Sequence, residues 1–84
     1  MTEESIVKVK EVISKAYDKY KYLQEGDCFI EFDERREYIA VKWHTWMDGY
    51  INFLRIRFII NYFKRKLKGF GISYYDSISF YGKE

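Results

Sequence analysis

Eighty-four residues, 48% of them hydrophobic and 21% aromatic, are enough for one compact domain spanning residues 1–84 and too apolar for a disordered tail, which stays unfolded because it has little apolar surface to bury. Charged residues make up 33% of the chain and interrupt every apolar run, so no stretch approaches the roughly 20 residues of a membrane-spanning helix. A net charge of only +2 excludes binding by bulk charge alone, of the kind used by DNA-packaging proteins.

The first segment carries Ile6, Val9, Ile13, Ala16, Tyr20 and Leu23 at alternating spacings of three and four, which lines them along one side of an α-helix. Glu4 with Lys8 and Glu11 with Lys15 stand four apart with the acid first, and Glu3 and Glu4 suit the positive end of the helix dipole. A helix is predicted from Thr2 to Gln24, with Gly26 as its stop. Between Asp27 and Phe32 the pattern changes to alternation, with Cys28, Ile30 and Phe32 on one side, and a strand is expected. The polar cluster Asp33-Glu34-Arg35-Arg36 separates it from a second strand, Tyr38 to Thr45, whose Ile39, Val41 and Trp43 share a face; a hairpin is the natural connection.

Trp46 to Phe70 supports two readings. As a helix it has Thr45 as N-cap, a cationic last turn in Lys64, Arg65, Lys66 and Lys68, and Gly69 as a stop. Phe53, Ile56, Ile60, Phe63 and Leu67 then form one apolar face and Met47, Ile51, Leu54, Phe58 and Tyr62 a second, so that the helix is expected to be buried on two sides. The rival reading turns the chain at Asp48-Gly49 and runs a third strand from Tyr50 to Ile60. Ile72 to Tyr81 alternates again and predicts a half-exposed strand. Asp76 falls on its apolar side, which calls for a bulge or a sheet margin. The favoured fold is α+β in the order α-β-β-α-β, an antiparallel sheet with helices on one face; the alternative is α-β-β-β-α-β.

Little in the chain carries chemistry. One cysteine, Cys28, and one histidine, His44, fall short of a closed zinc site. Glu31 and Asp33 share a strand face and could hold Mg²⁺, but a nuclease of the restriction type needs a carboxylate two positions before a lysine, and Ala40 stands there before Lys42. Gly69-Phe70-Gly71 lacks the length and the Lys-Ser/Thr ending of a phosphate-binding loop. Neither an enzyme nor a cofactor is expected.

Charge is uneven instead. Positions 1–34 hold nine acids against five lysines, a net of −4, whereas positions 35–84 hold ten bases against four acids, a net of +6. No acid occurs from Ile51 to Gly71. On the helix reading Arg57, Lys64 and Lys68 join Asn61 in a narrow stripe able to follow a phosphate backbone or an acidic protein groove. Trp43, His44, Trp46 and Tyr50 precede this span, and exposed rings beside cations suit either a protein interface or base stacking. Trp43 belongs to the core face. Trp46 alternates onto the side of Lys42, where burial would dehydrate an unpaired charge, so Trp46 is expected to be exposed at the centre of the binding surface.

The sequence therefore predicts a small non-enzymatic binding protein, a regulator or inhibitor, acting on a protein or nucleoprotein partner through Trp46, His44, Tyr50, Arg57, Lys64 and Lys68. Direct nucleic-acid binding through the basic stripe is the alternative. A homo-oligomeric structural protein is a further one, with a homodimer formed through Ile6, Val9 and Ile13. The acidic opening Met1-Thr2-Glu3-Glu4, unlike a secretory leader, and the single cysteine point to a reducing, cytoplasmic location. Abundant Ile, Lys and Tyr with alanine only at Ala16 and Ala40 is the usage of an AT-rich genome and suggests a phage, viral or mobile-element origin.

Overall fold

Thr2 starts the first helix, α1 (Glu3–Lys19), by accepting a hydrogen bond from the Ser5 amide at 3.1 Å through its hydroxyl, which satisfies one of the amides that a helix start leaves without a partner. The computed structural model describes residues 1–26, 28–43 and 49–77, and of residues 49, 50 and 77 the backbone only. Lys15 and Glu11 form the expected pair at 3.4 Å, while Lys8 turns to Glu11 at 3.9 Å. The helix does not run on to Gln24. Tyr20 takes an extended conformation (φ −108°, ψ 101°) and a separate turn, α2 (Lys21–Gln24), follows. The break sets the Tyr20 ring edge-on to Tyr62 at 5.8 Å and brings Leu23 into the core. Gln24 then donates to the Tyr17 carbonyl at 2.7 Å, and Gly26, at φ +81°, reverses the chain where a side chain would be strained.

The buried side of α1 is Val9, Val12 and Ala16, with Ile13 packed at its rim. Val9 is fully buried in the domain's own core, so the Ile6, Val9 and Ile13 surface considered for a homodimer is largely spent within one chain.

Strands β1 (Cys28–Asp33) and β2 (Tyr38–Trp43) pair antiparallel, from Cys28 opposite Trp43 to Asp33 opposite Tyr38. Their hairpin is tied by Asp33, whose Oδ1 accepts from the amides of Arg35 and Arg36, both at 2.9 Å. Glu37 closes the turn at φ 56°. The Tyr17 hydroxyl accepts from the Ile30 amide at 3.3 Å, which covers part of an otherwise open sheet edge.

One helix, α3 (Gly49–Lys66), occupies most of the span that had two readings, and Tyr50 to Ile60 is not a strand. Among the described residues it runs from Gly49 and ends before Phe70; residues 44–48, including the proposed Thr45 cap and Trp46, lie outside the described residues. Strand β3 (Ser73–Ser77) then pairs with β2 in parallel, from Tyr38 level with Ser73 to Lys42 level with Ser77. The order α-β-β-α-β holds, with α2 as an added turn. The sheet, in the order β1-β2-β3, is mixed rather than antiparallel throughout. A helix of this length carries the chain back across the sheet, so the next strand enters in the same direction as the last.

Ile39, Val41 and Trp43 of β2 and Cys28, Ile30 and Phe32 of β1 meet Val9, Val12 and Ala16 of α1 and Ile56, Ile59 and Phe63 of α3 in one core. Trp43 is buried there as the alternation predicts. Asp76 is level with Val41 in a register unbroken from 73 to 77, so it marks a sheet margin and not a bulge.

Candidate functional site

The site is built on α3, whose two sides have different fates. Asn52, Ile56, Ile59, Ile60, Phe63 and Leu67 turn inward and are buried. Ile51, Leu54 and Phe58, spaced three and four apart, share a face that stays open. Phe58 is 60% exposed, Ile51 41% and Leu54 36%. Burial on two sides was expected; of the second face only Tyr62 is buried among the described residues. Phe53, assigned to the inner face, is exposed as well. The helix packs on the sheet with one side only, since α1 lies beside it over the same sheet. The open stripe runs about 10 Å along the helix at 1.5 Å per residue. Full burial of such a side chain from water is worth about 1.5 to 3 kcal/mol, and covering the 36 to 60% that is still exposed here would contribute that fraction of it.

Cations border the stripe. The Arg57 guanidinium lies over the Phe53 ring, 5.5 Å from its centroid. On the other flank Arg55 sits 4.9 Å from the Tyr22 ring and 5.9 Å from Trp43. Tyr22 donates to the Arg55 carbonyl at 3.4 Å, and burial pushes its phenol up to about 12. Among the described residues none of Arg55, Arg57, Lys64, Arg65, Lys66 and Lys68 is in an ion pair. On the acidic half Lys8 and Lys15 pair with Glu11 and Lys10 pairs with Glu34 at 2.9 Å. The first half of the chain neutralises several of its own bases, whereas among the described residues the cations of α3 rest on rings or face solvent.

Arg57, Asn61 and Lys64 do form the predicted stripe, and the fold gives it a floor. With Ile60 of the same helix and Tyr74 and Asp76 of β3 they line a cleft of about 120 Å³. Burial raises the Tyr74 phenol above its ordinary value. Two cations, an amide and a phenol can hold an anionic group there; the space is too small for a cofactor, whose pockets run to about 300 Å³ and more. Lys68 does not line it, because α3 ends at Lys66 and Lys68 stands in the turn beyond. Tyr50 lies in the first turn of α3, and its side chain is not described. His44 and Trp46 lie outside the described residues. Tyr74 and Asp76 were not foreseen as site residues. The signal was Asp76 on the apolar side of its strand.

Lys42 is not the unpaired charge that would keep one sheet face open. Its ammonium is paired with Glu31 Oε2 at 2.8 Å and its side chain is only 14% exposed. Tyr38 donates to Glu31 Oε1 at 3.0 Å. Asp33 is occupied by two amides of its own turn, so both carboxylates weighed as metal ligands have structural partners. Among the described residues no cluster of three or more His, Cys, Asp and Glu is placed to hold a metal ion. No helix of the described residues is long and apolar enough to cross a membrane.

Compared with known proteins, the chain matches no family model, no curated protein and no solved structure.

Proposed function

We propose that this is a non-enzymatic binding protein, a regulator or inhibitor, that docks a protein partner on the outward face of α3. The observation that carries the reading is the open stripe of Ile51, Leu54 and Phe58 beside cations that have no ion-pair partner among the described residues. A partner surface with apolar side chains and flanking acids complements both features. Interfaces draw their energy from a few such desolvated aromatic and Arg contacts. A phosphate backbone would use the cations alone and leave the apolar stripe wet, which disfavours direct nucleic-acid binding. Tyr50 belongs to the first turn of α3 and His44 and Trp46 precede the helix in the chain; all three are proposed to extend the surface at its start.

The test is capture from native host extract by wild-type protein and by Phe58→Asp, with and without nuclease. Capture that survives nuclease and is lost in Phe58→Asp, with the variant's thermal melt unchanged, is expected. Capture that nuclease abolishes, together with a log affinity for duplex DNA falling with log salt by about 0.9 per phosphate contacted, would transfer the reading to nucleic acid.

A further inference from the structure

The cleft between α3 and β3 has a charge and a neighbourhood that narrow what it can receive. Arg57 and Lys64 stand two turns apart on α3 with Asn61 between them, and Asp76 of β3 faces them from the cleft's other wall. No ion pair joins Asp76 to either cation among the described residues, so three charged groups converge without neutralising one another. Their sum is one positive charge, which suits a monoanion. The volume, about 120 Å³, is the room of about ten waters at about 10 to 15 Å³ each and takes an acidic side-chain group with space beside it. What adjoins the cleft is the apolar stripe: Leu54 and Phe58 lie one helical turn from Arg57 and Asn61 and are both exposed.

From this juxtaposition we infer that the cleft is a recognition pocket for a single carboxylate, presented by an acidic side chain within an apolar segment of the partner protein. The inference rests on the docking reading and specifies the chemistry of that partner. A carboxylate accepts hydrogen bonds from the guanidinium and the ammonium together, and charge-assisted bonds of this kind are about twice as strong as neutral ones. The segment's apolar neighbours cover Leu54 and Phe58 and exclude water from the pair, which strengthens it further.

The experiment uses the full ¹⁵N-labelled chain and three probes: acetyl-Leu-Glu-Leu-Leu-amide, its Gln counterpart, and a short oligothymidylate. The signals read are the Arg57 side-chain Nε–H and the Asn61 side-chain amide. Saturable shifts are expected at both, with the Glu peptide binding about tenfold or more tighter than the Gln peptide. That preference should vanish in Arg57→Gln combined with Lys64→Gln. Asp76→Asn should tighten the Glu peptide by about twofold to fivefold, as removal of an exposed like charge does. Phe58→Ser should weaken both peptides alike.

Equal affinity for the Glu and Gln peptides would overturn the cleft while leaving the docking face standing, provided Phe58→Ser still weakens both. No saturable shift from either peptide would overturn both readings. Oligothymidylate binding these signals more tightly than the Glu peptide would assign the cleft to a phosphodiester. A concentration-dependent dimer in sedimentation, lost in Arg57→Gln, would give it to a second copy. Either result overturns the inference.

Discussion

Lys42 and Glu31 show how a charge enters a half-buried surface without being stranded there. The ammonium meets one carboxylate oxygen at 2.8 Å and the Tyr38 hydroxyl meets the other at 3.0 Å. The hydrogen bond from Lys42, and then that from Tyr38, hold the Glu31 carboxyl below its ordinary value. A depressed carboxyl stabilises the fold above the unfolded-state value and loses that contribution as pH falls through the folded one. The stability difference between wild type and Glu31→Gln, from urea unfolding at a series of pH values, should be constant near neutrality and shrink below a pH of about 4. A difference that persists unchanged into strong acid would mean that the carboxylate's charge is not what matters. Glu37 bears a backbone cost in the hairpin turn. At φ 56° its Cβ crowds the following carbonyl, a cost of about 1 kcal/mol that glycine does not bear. Glu37→Gly relieves that cost but removes the carboxylate that meets the Met1 ammonium at 2.8 Å, so thermal melts should show a net change smaller than about that amount.

Helix α3 divides its large apolar side chains between two tasks, and their positions around the helix say which has which. Phe63 is fully buried between the sheet and α1, while Phe58 projects outward. Phe63→Ala should cost about 3 to 5 kcal/mol as a core truncation. Phe58→Ser removes little packing and should stay within about 0.5 kcal/mol of wild type. Equilibrium unfolding of the two variants side by side checks the assignment, and a large loss in Phe58→Ser would mean that the stripe is covered within the chain. The helix ends cleanly because Gly69 supplies φ +88° just after the last turn, with the Leu67 amide still bonded to the Phe63 carbonyl at 2.8 Å. That turn is what takes Lys68 off the stripe.

Over the whole molecule the two halves handle charge differently. Glu11 and Glu34 engage lysines of α1, whereas the cations of α3 stand beside exposed Leu54 and Phe58 without an acid of their own among the described residues. Reversing one of them, Lys64→Glu, places an acid next to Arg57 and turns the cleft's net charge from one positive to one negative. Partner capture should fall several-fold while the melting temperature moves by no more than about 8 °C, because an exposed last-turn charge is worth about 0.3 to 1 kcal/mol. Unfolding of this variant would show that the lysine is structural.

The sequence by itself determined most of the elements and most of the core, leaving Tyr50 to Ile60 open between helix and strand, because the spacing of apolar residues is a local property that survives in any fold that buries them. Val9, Ala16, Leu23, Ile39, Val41, Trp43, Ile56, Phe63 and Leu67 are buried where their periodicity placed them, and Arg57, Asn61 and Lys64 form one row because a helix dictates it. Tertiary structure decided what depends on which distant segment arrives alongside. The break at Tyr20 follows the packing of its ring on Tyr62, and the pairing that shelters Lys42 requires Glu31 on the neighbouring strand. Parallel entry of β3 brought Tyr74 and Asp76 to the basic row and made a cleft of it. Helical spacing marked two apolar faces on α3 and was silent on which of them would find a partner within the chain. One sheet offers one surface to cover, so one face was buried and the other left open.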